Sequence, residues 1–286
     1  LQVNNGTLIL EGGANADNLS LALSATALQL SGDLSLGSGE FQLDNTSALE
    51  LQGDTILSRN GEFNLPDLRL GGHALSLATS VTELVVRGSL SIADNESLDS
   101  DNATLRLNSG GSVTGTGRLD VGGGILELQG LLAVSGRLVL DNTTAFNLND
   151  HALDLSGGTI ESQGATIEWA NFVTDNATRL TLEGDTEVSS TSPFTLGALA
   201  LNGHALQLGE ESSGLTLPNP LVLENAASQL DTGSADLTLE SPLQLDAGAL
   251  TSTAGTLTFA DGLALGTGGT LDVSGSTVSV SQTLDL

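Results

Sequence analysis

A bulky apolar residue, any residue, then a second bulky apolar residue: this triplet recurs along the whole chain and limits what the chain can fold into. Toward the C-terminus the triplets begin at Leu199, Leu206, Leu215, Leu221, near Leu230, at Leu237, Leu243, near Leu250, and at Leu257, Leu263, Leu271, Val278 and Leu284. Every third one returns after about 20–22 residues. The earlier part keeps the same beat, as in Leu28-Gln29-Leu30, Leu34-Ser35-Leu36, Phe41-Gln42-Leu43 and Leu49-Glu50-Leu51. Period two puts the flanking side chains on one face and the middle one on the other. The middle residue is most often Gln, Glu, Asp, Ser, Thr or Arg, so the second face meets water.

Strands this short do not stand alone, and a helix cannot run through a turn residue every seven positions or so. Between the triplets lie Gly, Asn, Asp and Ser, which tolerate positive φ or close side-chain turns. A fixed period of this length marks a solenoid. The expected fold is all-β, a right-handed parallel β-helix, the hand following the general preference of parallel crossovers. It has about three short strands per coil and about 13 coils, and forms a single continuous domain over residues 1–286 with no evident caps. One coil buries about six large side chains, a gain on the order of 10 kcal/mol. Ordering its backbone costs more than that, at about 1–2 kcal/mol per residue, so coils must stabilise one another.

Composition narrows the partners. Thirty-five acidic residues stand against seven basic ones, all arginine, for a net charge of −28. Such a field repels phosphate and anionic lipid, which argues against nucleic acid and bare membrane. No apolar run reaches the length of a membrane span. The absence of cysteine excludes disulfides and thiolate metal sites.

Two turn phrases repeat. The first contains all three histidines: Gly72-His73-Ala74-Leu75-Ser76-Leu77, Asp150-His151-Ala152-Leu153-Asp154-Leu155 and Gly203-His204-Ala205-Leu206-Gln207-Leu208. Their spacing does not set them on adjacent coils, so they read as turn residues rather than metal ligands. The second is Asp-Asn followed closely by Ser or Thr, at Asp44, Asp94, Asp101, Asp141 and Asp175. Several copies match the glycosylation sequon, but Asn suits the turn and Thr opens the next strand.

No catalytic constellation emerges. Sugar-cleaving β-helices need long loops, converging carboxylates and aromatic platforms, whereas here the connections are short. The one tryptophan, Trp169, falls at an inward position of Ile167-Glu168-Trp169 and reads as core. Acidic pairs such as Asp99 with Asp101, or Glu210 with Glu211, read as solvated turns without an arginine among them. Thr-x-Thr pieces such as Thr251-Ser252-Thr253 show no recurrence from coil to coil. The expectation is a chain that is not an enzyme and has no cofactor beyond weak Ca2+. Gly12-Gly13-Ala14-Asn15-Ala16-Asp17-Asn18-Leu19 is a single degenerate copy of the calcium-binding nonapeptide, making Asn15, Asp17 and Asn18 the candidate metal turn.

The chain resembles the stalks of bacterial surface β-helix exoproteins: filamentous-haemagglutinin-like proteins, autotransporter passengers and giant repetitive adhesins. The resemblance rests on phrases such as Leu199-Ala200-Leu201-Asn202-Gly203-His204-Ala205-Leu206-Gln207-Leu208 and Gly269-Thr270-Leu271-Asp272-Val273-Ser274-Gly275-Ser276. It implies secretion, display on the bacterial cell surface, and attachment to host or surface glycans or proteins. The leading expectation is a non-catalytic structural or adhesive module. An alternative is a fibre subunit stacking end to end; a carbohydrate-active enzyme ranks below both. Leu1-Gln2-Val3 and Leu284-Asp285-Leu286 both read as strands, which makes Leu1, Val3, Leu284 and Leu286 the candidate stacking residues toward other copies or adjoining segments.

Overall fold

The fold was obtained as a computed structural model that describes residues 1–15, 20–141, 143–169, 171–282 and 284–285. It is a parallel β-solenoid without helices among the described residues, and its coils, counted along the chain, come to about 13 turns. Contacts divide the chain into two compact units. One is Leu1–Val139 with Thr143–Asp154, and the other is Leu155–Leu286 with Leu140–Asn142.

In the first unit, past its first strands, a strand typically pairs with the strand three places further along the chain, so one coil holds three strands. Gly61–Leu65, Val81–Val86, Thr104–Leu107, Ile125–Leu128 and Ala145–Asn147 stack in this way. The register follows the triplets: Leu84 faces Leu105, which faces Leu126. All three are fully buried, while Glu83, Arg106 and Glu127 lie on the opposite face. Apolar-x-apolar thus becomes inward-outward-inward, and like residues lie over like residues up the core.

The second unit repeats the arrangement. Thr166–Glu168, Thr186–Ser189, Ala205–Leu208, Gln229–Asp231, Ala249–Thr251 and Thr270–Asp272 form one sheet. Phe194–Thr195, Gly214–Leu217, Asp236–Leu239, Thr256–Phe259 and Thr277–Val280 form another. Leu206, Leu230 and Leu250 share one inward column and are fully buried.

The turns take the backbone the sequence requires. Asn95, Asp101, Asn149, Asp150 and Asn202 adopt positive φ, the left-handed region that Asn and Asp enter more readily than other non-glycine residues. All three histidine phrases close the same hydrogen bond, from the His73, His151 and His204 backbone N–H to the carbonyls of Leu70, Leu148 and Leu201.

Candidate functional site

The acidic residues have a structural use that composition alone does not reveal. Many turn carboxylates accept a backbone N–H from the neighbouring coil. Asp33 takes that of Ile56 at 2.9 Å, Asp94 that of Thr116 at 2.7 Å, and Asp236 that of Thr256 at 2.7 Å. Two copies of the Asp-Asn phrase, at Asp44 and Asp175, do this and also close their own turn. Asp44 accepts from the Ser24 hydroxyl and the Ala25 N–H one coil back, and from Thr46 and Ser47 in its own turn. Asp175 accepts from the Gly157 N–H one coil back and from Ala177 and Thr178. The Ser24 hydroxyl, with Thr46, Ser47 and Ala25, holds the Asp44 carboxyl far below the ordinary range. The Gly157 N–H, with Ala177 and Thr178, lowers that of Asp175.

Arginines intervene where carboxylates would repel. Arg106 bridges Glu83 at 3.0 Å and Glu127 at 3.1 Å, and Arg69 bridges Glu50 at 2.6 Å and Asp67 at 2.9 Å. Beside the pair Asp99 and Asp101, the nearby arginine is held by another carboxylate. Asp99 stacks on Asp120, which Arg118 contacts at 2.6 Å. Burial, with Asp99 adding, still raises the Asp120 carboxyl against the opposing Gly122 N–H and Arg118.

Of the candidate metal turn, Asn15 ends the short strand Ala14–Asn15, while Asp17 and Asn18 lie outside the described residues. Among the described residues no group of three or more His, Asp or Glu side chains is placed to hold a metal ion. Of the candidate stacking residues, Leu1 is exposed, Val3 is half-buried, Leu284 lies in a strand paired with Leu263–Leu265, and Leu286 lies outside the described residues. One column of single hydroxyls does recur, although it is not a Thr-x-Thr rank. Thr195, Thr216, Thr238, Thr258 and Ser279 follow one another in register. Each is the middle residue of a triplet in every third position, so a search for Thr-x-Thr misses the column.

A stronger signal was also present in the sequence. A shift of 131 residues carries Asp44 onto Asp175, Asp54 onto Asp185, Phe63 onto Phe194 and His73 onto His204. Strands coincide under it: Thr55–Ser58 maps onto Thr186–Ser189, Ala74–Leu77 onto Ala205–Leu208, and Leu90–Ile92 onto Leu221–Leu223. The contacts coincide as well. His73 Nδ1 lies 3.8 Å from Asp54, and His204 Nδ1 lies 3.7 Å from Asp185.

The two copies differ at Trp169, which stands where the first has Ser38. In the first unit Phe41 and Phe63 meet edge to face at 5.1 Å, and the Arg59 guanidinium lies over Phe63 at 5.8 Å. In the second unit Phe172 and Phe194 hold the equivalent places, and Trp169 packs against both. It stacks on Phe194 at 4.8 Å and tilts against Phe172 at 5.1 Å. The indole is 4% exposed and its N–H has no hydrogen-bond acceptor. Inward packing of Trp169 agrees with the sequence reading. A pocket of about 360 Å³ opens beside it, lined by Thr166, Glu168, Ser189, Ser190, Thr191, Glu210 and Glu211 as well as Trp169. The pair Glu210 and Glu211 is solvent-exposed, as its turn position implies, but it also forms a pocket wall.

No known protein family, curated protein or solved structure matches the chain.

Proposed function

We propose that the chain is a non-catalytic structural and adhesive module of a bacterial surface protein, of the filamentous-haemagglutinin or autotransporter-passenger kind. The observation that carries this reading is the use of carboxylates as fasteners between coils, seen from Asp33 and Asp44 to Asp185 and Asp236. Carboxylates engaged in this way serve a long surface of repeated polar columns rather than a reacting centre. Their surplus over arginine keeps that surface hydrated and self-repelling, which suits display in the open. On this reading the partners are host or surface glycans or proteins, together with adjoining segments of the same protein, and no cofactor takes part.

Antibody Fab fragments raised against the chain test the proposal on intact cells of the source organism. Surface labelling, removed by external protease, and a loss of cell attachment in the presence of the Fab are the expected results. Labelling that requires permeabilised cells, or attachment unchanged by bound Fab, overturns it.

A further inference from the structure

We propose that Asn60 is a self-modification site at which the first unit ages: the backbone nitrogen of Gly61 displaces the side-chain amide of Asn60 as ammonia, and aspartate or isoaspartate remains. This goes beyond the surface-protein reading and does not depend on it.

The dipeptide Asn-Gly occurs three times, at Asn5-Gly6, Asn60-Gly61 and Asn202-Gly203. Glycine after asparagine favours this chemistry, because no Cβ shields its nitrogen and its backbone turns freely. The new bond joins the Gly61 nitrogen to the side-chain carbonyl carbon of Asn60. The bond that breaks is the one from that carbon to the amide nitrogen, which leaves as ammonia carrying the proton of the Gly61 N–H. Solvent water then opens the resulting succinimide ring. Attack at one carbonyl gives aspartate, and attack at the other gives isoaspartate, whose main chain runs through the former side chain.

The fold treats the three dipeptides differently. The Asn202 amide donates to the Leu182 carbonyl at 3.1 Å and to the Glu183 carboxylate at 3.4 Å, and the Gly203 N–H donates to the Ser228 hydroxyl at 3.0 Å. Both reacting groups are therefore tied to neighbouring coils. Asn5-Gly6 lies inside the strand Gln2–Leu10, with Asn4 and Gly6 in register with Ser24 and Thr26. Asn60 is exposed, and its side-chain amide has no hydrogen-bond partner among the described residues. Gly61 is the first residue of its strand, and its N–H reaches the Ser80 carbonyl only at 3.4 Å, long for a hydrogen bond. Beside it the ladder shifts register between Val81 and Glu83. A free amide next to a loosely held N–H reacts after a small local movement, whereas Asn202 waits for coils to part. The shift of 131 residues sets Thr191 and Ser192 at these positions, so the second unit has no counterpart. The Arg59 guanidinium comes within 3.8 Å of where a Gly61 Cβ would stand, which attracts the new carboxylate. Isoaspartate also lengthens the main chain by one methylene. The insertion falls between the Asn60 N–H, bonded to the Gly37 carbonyl, and the strand that carries fully buried Phe63.

The experiment incubates the intact chain in mildly alkaline buffer, with a parallel sample unfolded in guanidinium chloride. Peptide mass spectrometry follows the amide-to-acid mass gain at each of the three asparagines over time. In the folded chain Asn60 should convert faster than Asn5, and at least about tenfold faster than Asn202, which reacts only through local opening. In denaturant the three rates should converge, because all three precede glycine and the protection is lost. Ageing should also lower the urea midpoint of the native chain and leave that of Asn60→Gln unchanged, since glutamine closes the larger ring poorly. Equal rates at the three sites in the folded chain overturn the inference. So does a preference for Asn60 that persists in denaturant, or a midpoint that ageing shifts equally, or not at all, in the native chain and in Asn60→Gln.

Discussion

The Asp54 carboxylate accepts the backbone N–H of Ala74 from the next coil at 2.9 Å. The second copy repeats the contact, with Asp185 and Ala205 also at 2.9 Å. In each case the aspartate follows glycine and precedes threonine, and the alanine follows histidine. The contact answers an N–H at the start of a strand, as a capping residue does at the start of a helix. Because the geometry is the same, Asp54→Ala and Asp185→Ala should destabilise their own units by similar amounts, about 0.5–2 kcal/mol each by analogy with capping. Asn at either position keeps the acceptor oxygen and should cost less. Urea unfolding of the four variants measures this, and a loss confined to one site would mean that the two copies are not energetically equivalent.

The carboxylates also set a pH window. Asp44 and Asp175 are depressed below the ordinary value of 3.8 when folded, so their contribution is fully present above 3.8 and is lost as pH falls through the folded values. Asp120 runs the other way. Its folded carboxyl is raised by burial beside Asp99, so its ionised form costs stability at neutral pH, and this cost is relieved as acidification protonates it. Partial neutralisation of the net charge of −28 acts in the same direction. The urea midpoint should therefore rise on mild acidification from neutrality and fall below 3.8. Carboxyl carbon shifts followed against pH should show Asp120 taking its proton first and Asp44 and Asp175 last.

Much of the fold was legible in the sequence because period two has only one geometric meaning. Leu105-Arg106-Leu107 buries its ends and leaves its middle half-exposed, and Leu126-Glu127-Leu128 on the next coil does the same. Turn residues were legible for the same local reason, since Asn95 and Asn202 adopt the positive φ that asparagine tolerates. The uses of the carboxylates were not legible, because Asp33 and Ile56 meet only through the register of stacked coils. Trp169 was placed correctly as an inward residue. The pocket beside it was missed because Glu168, Ser189 and Glu210 come together from successive coils. The copy shift that links Phe63 to Phe194 was readable in principle, yet its signal is spread thinly among triplets that resemble one another everywhere.

Two glycines with similar backbones should respond very differently to alanine. Gly12 and Gly110 both have positive φ, +72° and +68°. A Cβ at Gly12 meets nothing within 4 Å, so Gly12→Ala should cost only the backbone strain, about 1–2 kcal/mol. At Gly110 the same atom overlaps the carbonyl of Leu131 on the neighbouring coil, beside the place where the Gly111 N–H bonds that carbonyl. Gly110→Ala must push two coils apart and should cost more than about 3 kcal/mol. Thermal unfolding of the two variants decides the matter, and equal costs would show that the coils can separate here without penalty.

Arg106 tests the electrostatic side of the stack. Its guanidinium joins Glu83 and Glu127, whose side chains are only 20% and 16% exposed, across three consecutive strands of one face. Arg106→Gln keeps much of the length of the side chain but leaves two partly buried carboxylates facing each other without a cation. An exposed ion pair is worth about 0.2–1 kcal/mol; two sharing one guanidinium at half-buried positions should reach about 1 kcal/mol at low salt. At 1 M salt the screening length falls to about 3 Å, so the repulsion between the leftover carboxylates is damped and most of the loss should vanish. A loss that persists at high salt would instead assign the role of Arg106 to packing of its aliphatic stem over Val85, its register neighbour, which is outward-facing yet only 6% exposed. Urea unfolding of Arg106→Gln and Arg106→Leu at both salt concentrations separates the two, because leucine retains apolar cover and glutamine does not.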